Sequence, residues 1–467
     1  MKIIRTELPG VQIIEPKVFE DSRGWFTEIY SKKMLENAKI YSDFLQDNHS
    51  YSAEKGTLRG LHFQIEPKAQ AKLVRCTKGK IVDVAVDIRR GSPTYKRWVK
   101  VELSAENKRQ LFIPRGFAHG FLTLTDEVEV QYKVDEYYSP EHDRGIRYDD
   151  EDINVDWGIV QEPILSEKDE RAPFLRDSDA NFSVKVLLTG TSGQLGKEIK
   201  ERLKELNIAV IATFRNDFDI TSRESVRTFF LKEKPDIIVH CAAYTAVDQA
   251  ETERELCYSI NAEGTKNIAE VAKEIDATLV YVSTDYVFDG ESPEPYLPNE
   301  KTKPVNYYGL TKEQGEKIVA NLLDKYFIVR TSWLYGDGKN FVKTMLKLSQ
   351  EQQTIRVVND QVGTPTYTKD LANLIVEMIQ TTKYGIYHGV NEGYCSWYDF
   401  AVEIFKEANI AIKVEPILSA EYITKAKRPN NSRLSTENLT KNGFQKMPTW
   451  QNALKRYLEI LQENIEG

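Results

Sequence analysis

The segment Val184–Gly196 joins an apolar strand, Val184–Thr189, to the turn Gly190-Thr-Ser-Gly193-Gln-Leu-Gly196, and a predicted helix follows from Lys197 to Leu206. Glycines at these positions allow the backbone to approach a pyrophosphate closely at the N-terminus of a helix. A tight turn without a ligand is the alternative explanation. Because strand, turn and helix follow in the required order, the segment favours a dinucleotide site.

Strand and helix patterns continue to alternate after this segment. Apolar strands are predicted at Ala209–Thr213, Ile237–Ala242 and Thr278–Ser283. Such alternation predicts a parallel, doubly wound α/β sheet. At the end of the second strand, where NAD-specific folds carry an acidic residue for the ribose 2′-hydroxyl, this chain has Thr213-Phe214-Arg215. Arg215 therefore favours NADPH, with NADH use and a merely solvated arginine as the alternatives.

The chain before Val184 has a different pattern. From Ile3 to about Trp157 it shows short strand-like stretches, such as Lys80–Ile88 and Arg97–Leu103, separated by turn residues. This predicts an all-β sandwich or barrel. The polar stretch Arg176–Asn181 has no periodicity and is typical of a linker. We expect one domain over 1–176, a linker over 177–183 and a second domain over 184–467.

The composition excludes several classes of protein. The 467 residues are 41% hydrophobic and 29% charged, with a net charge of −8. The charged residues are spread along the chain and are not collected in a basic face, which argues against nucleic acid as a partner. No apolar run is long enough for a membrane span, and no apolar core of a signal peptide is present near the start. Four cysteines without CxxC spacing indicate reduced thiols. We expect a cytoplasmic protein without a membrane partner.

A second motif of the C-terminal half pairs Tyr308 with Lys312 at the start of a predicted helix. The spacing of four residues puts both side chains on one helical face. An ammonium beside a phenol lowers the pKa of the tyrosine towards the working pH, as acid catalysis of carbonyl reduction needs. Ser283-Thr284-Asp285 ends a strand between this pair and the glycine turn. The arrangement resembles extended short-chain dehydrogenases, which implies a Rossmann fold.

From Val184 to Gly467 the chain resembles the dTDP-4-dehydrorhamnose reductase family. The runs that carry the resemblance are Gly190–Gly196, Ala242–Asp248, Asn261–Thr265, Ser283–Phe288, Arg330–Trp333 and Arg428–Ser432. It implies that Tyr308 donates the proton with Lys312 as its electrostatic partner. With the glycine turn and Arg215, the implied cofactor residues are Gly190, Gly193, Gln194, Leu195, Gly196, Arg215, Asp219, Ile220, Ala243, Tyr244 and Thr245. The residues implied to face the sugar nucleotide are Thr284, which we also count as catalytic, Asp285 and Trp333.

Two segments of the N-terminal half, Leu58–Gln64 and Pro114–Gly120, resemble the two halves of a cupin jelly roll. In metal-binding cupins the first motif supplies a second histidine, and here that position is Gln64. Imidazole-rich metal coordination is therefore not expected, and His62 is free for acid–base chemistry. A hydrogen-bonded interior histidine is the alternative role of His62.

Over residues 1 to about 176 the chain resembles the dTDP-4-dehydrorhamnose 3,5-epimerase family. The matching runs are Asp21–Glu28, Gln46–Ser50, Arg59–Gln64, Asp83–Arg89, Tyr137–His142 and Leu165–Asp169. The resemblance implies that His62 is the base and that Asp169 orients it. It also implies that Lys72 supports the enolate and that Tyr132 returns a proton from the opposite face. The implied substrate-binding residues are Arg23, Glu28, Gln46, Asn48, Arg59, His119, Tyr138, which stacks on thymine, Asp143, where the family more often has glutamate, and Lys168.

Together the two resemblances imply a bifunctional enzyme that makes dTDP-L-rhamnose from dTDP-4-dehydro-6-deoxy-D-glucose by 3,5-epimerisation and NADPH-dependent reduction at C4. A 6-deoxy-L-talose product, a UDP-linked sugar and a non-catalytic regulator that binds NADPH and a sugar nucleotide are the alternatives. Similarity to epimerases that pair through their sheets implies a homodimer. A divalent ion such as Mg²⁺ has been associated with the reductase family, but no cluster in the sequence places one.

Overall fold

The computed structural model describes residues 2–38 and 40–466. The chain forms two compact units, of which the first ends at Ser183 and the second begins at Val184. Within the described ranges, no helix has both the length and the apolar character needed to cross a membrane.

The first unit consists mainly of β-strands. In chain order they are β1 (Lys2–Arg5), β2 (Gln12–Glu15), β3 (Val18–Asp21), β4 (Gly24–Thr27), β5 (Gln46–Ser52), β6 (Leu58–Gln64), β7 (Lys72–Lys78), β8 (Lys80–Asp87), β9 (Trp98–Ser104), β10 (Gln110–Ile113), β11 (Phe117–Thr123), β12 (Val128–Val134) and β13 (Asp143–Gly145). Its short helices are α1 (Lys32–Asn37), α2 (Glu167–Glu170) and a 3₁₀ turn, Leu175–Asp177.

Two antiparallel sheets form the body of this unit. One has the order β1-β2-β10-β7-β12-β5 and the other β13-β6-β11-β8-β9, while β3 and β4 form a separate hairpin. Val74 of β7 and Phe121 of β11 belong to one buried apolar cluster. Because successive strand residues point to opposite faces, each of these strands contributes every second residue to the core between the sheets. The all-β architecture predicted for this half is therefore present.

The residues expected to form a free linker, 177–183, pack on the first unit instead. Ala180 and Phe182 are buried, and the Phe182 ring lies 5.9 Å from that of Phe63. Asp179 forms an ion pair with Arg144 at 2.8 Å, and the Asn181 side chain accepts a hydrogen bond from the backbone N–H of Glu66. The polar residues that suggested a linker thus hold the segment in place, while its apolar residues fill the core.

The second unit alternates strands and helices. Its strands are β14 (Lys185–Thr189), β15 (Ala209–Ala212), β16 (Ile237–His240), β17 (Thr278–Thr284), β18 (Tyr326–Thr331), β19 (Leu334–Tyr335), β20 (Thr354–Val358), β21 (Val362–Gly363), β22 (Thr366–Tyr367), β23 (Gly385–His388), β24 (Cys395–Ser396) and β25 (Lys413–Ile417). Its α-helices are α3 (Gln194–Glu205), α4 (Arg223–Glu233), α5 (Val247–Ala250), α6 (Arg254–Tyr258), α7 (Thr265–Glu274), α8 (Tyr307–Leu322), α9 (Phe341–Glu351), α10 (Thr368–Ile379), α11 (Trp397–Glu407), α12 (Glu437–Lys441) and α13 (Trp450–Glu466). A π-helical segment, Ser259–Gly264, joins α6 to α7, and 3₁₀ turns lie at Asp285–Val287 and Ser419–Glu421.

A parallel sheet with the order β15-β14-β16-β17-β18-β23 organises this unit. Val186 and Leu188 of β14 pack with α3 and α10 in one cluster, whereas Leu187 packs with α4, α7 and α8 in another. Helices therefore cover both faces of the sheet, because alternate residues of a strand point to opposite faces. The predicted parallel sheet is confirmed, and its carboxyl edge is where ligands of such sheets bind.

Candidate active sites

In the first unit the site is built around the contact between His62 on β6 and Asp169 on α2. His62 Nε2 lies 2.5 Å from Asp169 Oδ1. Ser166 caps α2 and donates its hydroxyl hydrogen to Asp169 Oδ2 at 2.9 Å. Burial acts to raise the pKa of Asp169, but the hydrogen bonds from His62 and Ser166 outweigh it and the pKa is lowered. Asp169 is therefore a carboxylate that fixes the orientation of the His62 ring.

Lys72 and Tyr132 come from the opposite sheet. In the pairing of β7 with β12, Lys72 faces Val134 and Tyr132 faces Val74, so both side chains point to the same face of that sheet. Lys72 is buried, and its ammonium donates to the His62 carbonyl oxygen at 3.4 Å. Burial lowers the pKa of Lys72 to about 8. A half-exposed base and a buried cation thus meet between the sheets.

The Tyr132 phenol is the acid candidate of this group. Burial raises its pKa, while the nearby Arg59 guanidinium acts in the opposite direction. Arg59 is held by the Ser52 hydroxyl at 3.1 Å and by the Tyr51 carbonyl at 2.9 Å. A phenol with a raised pKa stays protonated near neutral pH, as a proton donor must.

His119, expected among the nucleotide-binding residues, lies in the interior. It pairs with His62 in the register of β11 with β6. Its Nε2 is 3.0 Å from both carboxylate oxygens of Asp83. Burial lowers the pKa of His119, and Asp83 opposes this change. Sequence reasoning gave Asp83 no role, although a carboxylate inside the apolar run Asp83–Asp87 was a signal that it needed a buried partner.

Several of the other predicted binding residues form one connected group. The Tyr138 backbone N–H donates to Gln46 Oε1 at 3.1 Å, and Gln46 Nε2 donates to Asn48 Oδ1 at 2.8 Å. The Tyr138 hydroxyl donates to Asp143 at 3.2 Å, and Lys168 contacts the same carboxylate at 2.5 Å. Since Lys168 precedes Asp169, this polar group adjoins the His62 site.

Arg23 and Glu28 lie elsewhere, at the hairpin of β3 and β4. The Arg23 side chain is exposed and pairs with Asp21 at 2.6 Å. Among the residues described, no hydrogen bond or ion pair joins Arg23 or Glu28 to the group around His62. The hairpin also exposes three aromatic rings, those of Phe19, Trp25 and Phe26.

In the second unit the glycine turn has the close backbone approach that its sequence predicts. Gly190 has φ +68°, and a Cβ at Gly196 would lie 2.3 Å from the Gly190 carbonyl oxygen. Gly193 is the N-cap residue of α3. A Cβ at Gly190 would also lie 2.7 Å from the Ala242 backbone nitrogen. Glycine at both positions therefore lets the turn pack closely on the neighbouring backbone, and the turn leads into the N-terminus of α3, where backbone N–H groups can face a phosphate.

The remaining predicted cofactor residues follow the neighbouring strands at the same edge. Asp219 and Ile220 lie in the connection after β15, and Ala243, Tyr244 and Thr245 follow β16. Tyr244 is fixed by Asn261, whose side-chain oxygen accepts its backbone N–H at 2.8 Å. Arg215 is exposed after β15, and no carboxylate of the described residues forms an ion pair with it. Three loops of the carboxyl edge thus bring these residues to one side of the sheet.

Tyr308 and Lys312 lie in the first turns of α8, which begins after its N-cap residue, Asn306. The buried Lys312 ammonium donates to the Val282 carbonyl at 2.7 Å and lies 4.0 Å from the centre of the Tyr281 ring. Burial lowers the pKa of Lys312 to about 7, against the opposing effect of Glu316.

The expected lowering of the Tyr308 pKa by Lys312 is wrong for this structure. Burial of the phenol raises its pKa, the charge of Asp285 adds to this effect, and a hydrogen bond with Thr284 opposes it. The ammonium of Lys312 instead interacts with Val282 and Tyr281, contacts that helix spacing cannot reveal. Tyr308 therefore holds its proton firmly.

Asp285 and Trp333 complete the predicted substrate side. Thr284 and Thr331 are paired where β17 and β18 end, so Asp285 and Trp333 both follow the carboxyl edge. Asp285 is buried with Oδ2 unpaired, and burial raises its pKa to about 6. Trp333 has φ +47° and stacks on Trp397 with ring centroids 3.5 Å apart. Sequence reasoning missed Trp397, which no local pattern connects to Trp333.

No group of three or more His, Cys, Asp or Glu side chains within residues 2–38 and 40–466 is arranged to hold a metal ion. The divalent ion considered from the sequence is therefore not supported by a ligand cluster in the described part of the chain.

Epimerisation needs a base and an acid on opposite faces of a carbon atom, and carbonyl reduction needs a proton donor beside a hydride carrier. The fold supplies each set of groups in its own unit, which defines the chain as a two-domain enzyme of the isomerase and oxidoreductase classes. The family model for dTDP-4-dehydrorhamnose 3,5-epimerase matches residues 5–177, and that for the RmlD substrate binding domain matches residues 184–463. The chain belongs to the dTDP-4-dehydrorhamnose 3,5-epimerase family through its first unit and to the RmlD reductase family through its second.

Individual relatives match each unit over nearly their whole length. A dTDP-4-dehydrorhamnose 3,5-epimerase of Shigella flexneri is 55% identical over 182 residues, which are 38% of this chain and 98% of that protein. A dTDP-4-dehydrorhamnose reductase of Aggregatibacter actinomycetemcomitans is 40% identical over 287 residues, 58% of this chain and 97% of that protein. The crystal structure of a reductase of the same name from Bacillus anthracis, in complex with NADP, is 45% identical with a TM-score of 0.58 and covers 59% of this chain and 99% of that one.

Proposed function

We propose that this chain makes dTDP-L-rhamnose in two steps, 3,5-epimerisation of dTDP-4-dehydro-6-deoxy-D-glucose in the first unit and NADPH-dependent reduction of the C4 ketone in the second. The observation that supports the proposal is that the residues proposed for each reaction are brought together within one unit of the chain. His62 contacts Asp169 in the first unit, and Tyr308 and Lys312 share the first turns of α8 in the second.

For the epimerisation, hydrogens at C3 and C5 are acidic because the C4 oxygen can hold the charge of the enolate. His62 removes the proton from carbon, and the electron pair of the broken C–H bond moves towards the C4 oxygen. The Lys72 ammonium stabilises that oxygen. Tyr132 then donates its proton to the carbon from the other face. The origin of His62 and Tyr132 in opposite sheets supports this division of roles.

For the reduction, bound NADPH supplies the hydride that reaches C4. The Tyr308 phenol gives its proton to the C4 oxygen, and Thr284 lies close enough to hydrogen-bond the phenol. Lys312 holds a positive charge behind the tyrosine. The closely packed glycine turn at the N-terminus of α3 supports a pyrophosphate site, and the exposed Arg215 suits a 2′-phosphate. The NADP complex of the B. anthracis relative supports the same cofactor here.

We also propose a fold family for each unit: the first unit is a cupin jelly roll, and the second has the Rossmann fold of extended short-chain dehydrogenases. In the first unit, Tyr138 stacks on thymine, and the connected polar group around Asp143 and Lys168 holds the nucleotide. Exposed aromatic residues of the β3–β4 hairpin support a homodimer, and the enzyme acts in the cytoplasm. The names of the relatives do not favour a talose product, a UDP-linked sugar or a regulatory role.

Deuterium uptake and NADPH absorbance test the two steps separately. In D₂O without NADPH, the wild type should exchange the C3 and C5 hydrogens of the substrate, and with NADPH it should form dTDP-L-rhamnose, identified by NMR. His62→Ala should stop exchange but still oxidise NADPH with substrate that was epimerised beforehand. Tyr308→Phe should exchange normally and reduce roughly a hundredfold more slowly, because it lacks the acid proton.

The same assay with NADH measures cofactor preference, and we expect NADPH to give the higher kcat/KM. Normal reduction by Tyr308→Phe would show that another group supplies the proton. Loss of both activities in either single variant would contradict the assignment of one reaction to each unit.

A further inference from the structure

Three cations lie within four positions of the second unit, at Lys425, Lys427 and Arg428, in a chain with a net charge of −8. They belong to the loop between the 3₁₀ turn Ser419–Glu421 and α12. Lys425 and Lys427 are exposed, and among the described residues neither side chain forms an ion pair. The proposed reaction steps give none of the three a role, so we call residues 425–432 the cationic loop and ask what it can bind.

The cationic loop is fixed beside the residues proposed to reduce the sugar. Asn306 donates from Nδ2 to the Lys427 carbonyl at 2.9 Å, and its Oδ1 accepts the Gly309 N–H at 2.8 Å, which caps the helix that carries Tyr308. At the other end of the loop, the buried Ser432 side chain lies close to the Asp285 carboxyl group and acts to lower its pKa, against the larger effect of burial. Asp285 directly follows β17, and Asn306 directly precedes α8. Both ends of the loop therefore lie near the carboxyl end of β17.

A close backbone contact holds the middle of the loop. A Cβ at Gly290 would lie 2.6 Å from Cβ of Pro429, and Gly290 has φ +78°. Neither the space nor the backbone conformation suits a side chain at Gly290. The position of Arg428, directly before Pro429, is therefore set by the packing of the loop and not by its charge alone.

Arg428 has hydrogen-bonding capacity left over. One nitrogen, Nη2, donates to Asp248 Oδ2 at 3.1 Å, while the buried Nε has no partner. A guanidinium carries five N–H donors, and the side chain is 32% exposed. Asp248 also accepts the backbone N–H of Ala426 at 3.0 Å. Asp248 thus ties down the loop and orients Arg428 without using all of its donors.

We propose that the cationic loop binds the diphosphate of the nucleotide-sugar substrate in the reductase site, with Arg428 as the central ligand and Lys425 and Lys427 adding positive charge. A planar guanidinium pairs with phosphate oxygens through two parallel hydrogen bonds, and lysines attract them as point charges. The inference rests on the proposed function, since it assigns the anionic part of the substrate whose C4 carbonyl meets Tyr308.

The cofactor is the other source of phosphate at this edge. Its pyrophosphate is expected at the Gly190–Gly196 turn after β14, and β16 separates β14 from β17 in the sheet. Asn306 and Asp285 hold the two ends of the cationic loop on the β17 side, and Asp248, which follows β16, holds Arg428. None of these contacts involves the connection after β14. The loop therefore suits the diphosphate of the sugar nucleotide better than that of NADPH.

Kinetics of the full-length enzyme with substrate epimerised beforehand test this assignment. Arg428→Ala should raise KM for the sugar nucleotide roughly tenfold to a hundredfold, the range expected when charge-assisted hydrogen bonds are lost, and leave KM for NADPH unchanged. Arg428→Lys should recover part of the loss, because a positive charge remains. Lys347→Ala, which removes an exposed lysine of α9 paired with Glu351, is the control for net charge.

The variant Asp248→Asn distinguishes binding of the diphosphate by Arg428 from attachment of the cationic loop to Asp248. The amide oxygen can still accept the Ala426 N–H, but the charge opposite Arg428 is gone. If Arg428 only ties down the loop, Asp248→Asn should raise KM as much as Arg428→Ala does. If Arg428 binds the diphosphate, Asp248→Asn should leave KM unchanged or lower it. Should Arg428→Ala fail to fold, the double variant Lys425→Ala/Lys427→Ala keeps the tether and should still raise KM several-fold.

Calorimetric titration with dTDP supplies a readout that does not depend on turnover. The wild type should bind two dTDP per chain, one in each unit, and Arg428→Ala should bind one. Two tight sites in Arg428→Ala, or an unchanged KM for the sugar nucleotide, would overturn the inference. A rise in KM for NADPH alone would assign the loop to the cofactor instead. If the wild type bound dTDP twice but failed to oxidise NADPH, the proposed reaction would be wrong and the diphosphate site would stand.

Discussion

Two buried lysines show how strongly the surroundings of single residues decide the chemistry of this chain. Burial lowers the pKa of Lys72 to about 8, although Asp143 and Asp83 partly offset the effect. It lowers the pKa of Lys312 to about 7, where Glu316 is the main opposing charge. Each ammonium is proposed to act through its positive charge, so each activity should depend on the protonated form.

The pH dependence of the two activities should therefore differ within one sample. As pH rises, Lys312 loses its proton before Lys72, and the positive charge beside each site disappears in that order. We expect kcat/KM for NADPH oxidation to fall with a midpoint near pH 7 and the rate of deuterium exchange to fall with a midpoint near pH 8. Initial rates measured across this range, with both assays on the same preparation, check the order.

The exchange reaction is the internal control in this experiment, because general inactivation at high pH would reduce both rates together. A reduction rate that falls only at higher pH than the exchange rate would contradict the assignment of a charged Lys312 to the reductase site.

Among the secondary-structure elements, the segment after α2 has an effect on stability that its composition hides. Phe182 is buried, and the centroid of its ring lies 5.9 Å from that of Phe63. Phe63 directly follows His62 on β6. Asp179, three positions earlier, is mostly exposed in its ion pair with Arg144. One segment thus contains a core residue and a surface residue that can be compared directly.

Phe182→Ala should lower the free energy of unfolding of the first unit by about 3–5 kcal/mol, since it removes a buried ring and leaves a cavity. Asp179→Ala should change it by less than about 1 kcal/mol, because exposed ion pairs contribute little. Scanning calorimetry of the full chain measures both changes. A larger loss in Asp179→Ala than in Phe182→Ala would mean that the ion pair, and not the ring, holds the segment.

Alternation along the strands explains how the first unit brings acid and base together. Lys72 and Tyr132 point to the same face because Lys72 is two residues from Val74 on β7, and Val74 is the register partner of Tyr132 on β12. His62 reaches the same space from β6 in the other sheet. A shift of one residue in either pairing would turn the side chain to the opposite face. Strand register is therefore as important for the proposed epimerisation as the identity of the residues.

For the molecule as a whole, the main consequence is that each unit has its own core and its own site. Buried clusters of the first unit contain residues up to Phe182, and those of the second begin with Val184. Ser183 lies at the boundary between the two units. This division predicts that the two activities can be separated by cutting the chain after Ser183.

Fragments 1–183 and 184–467, produced separately, should each fold and catalyse one step. Their mixture should form the same product as the intact chain but more slowly at low protein concentration, because linking places the second site at an effective concentration in the millimolar range. NMR time courses over a series of protein concentrations measure the difference. A cut after Arg176 is the matched control and should yield a less stable first fragment, since it removes Phe182. Two inactive fragments from the cut after Ser183 would show that the units depend on each other.

Short-range patterns in the sequence were sufficient for much of the fold. The strand, glycine turn and helix from Val184 to Leu206 are consecutive, and the strand–helix alternation that continues after them predicted the parallel sheet. Tyr308 and Lys312 are separated by one helical turn, and their common face follows from helix geometry. Six short runs between Asp21 and Asp169 likewise carried the resemblance to the first family, because the residues of each run are consecutive in the chain.

Burial and contacts between distant residues were decided only by the tertiary structure. Ala180 and Phe182 fill a core although the residues around them are polar, and His119 turned out to be paired with Asp83 inside the sheets. The pKa of Tyr308 is raised, not lowered, because packing determines both its burial and the direction of the Lys312 ammonium. Arg428 meets Asp248, 180 positions away in sequence. Local patterns report backbone conformation over a few residues, whereas desolvation and charge pairing depend on which distant segments the fold brings together.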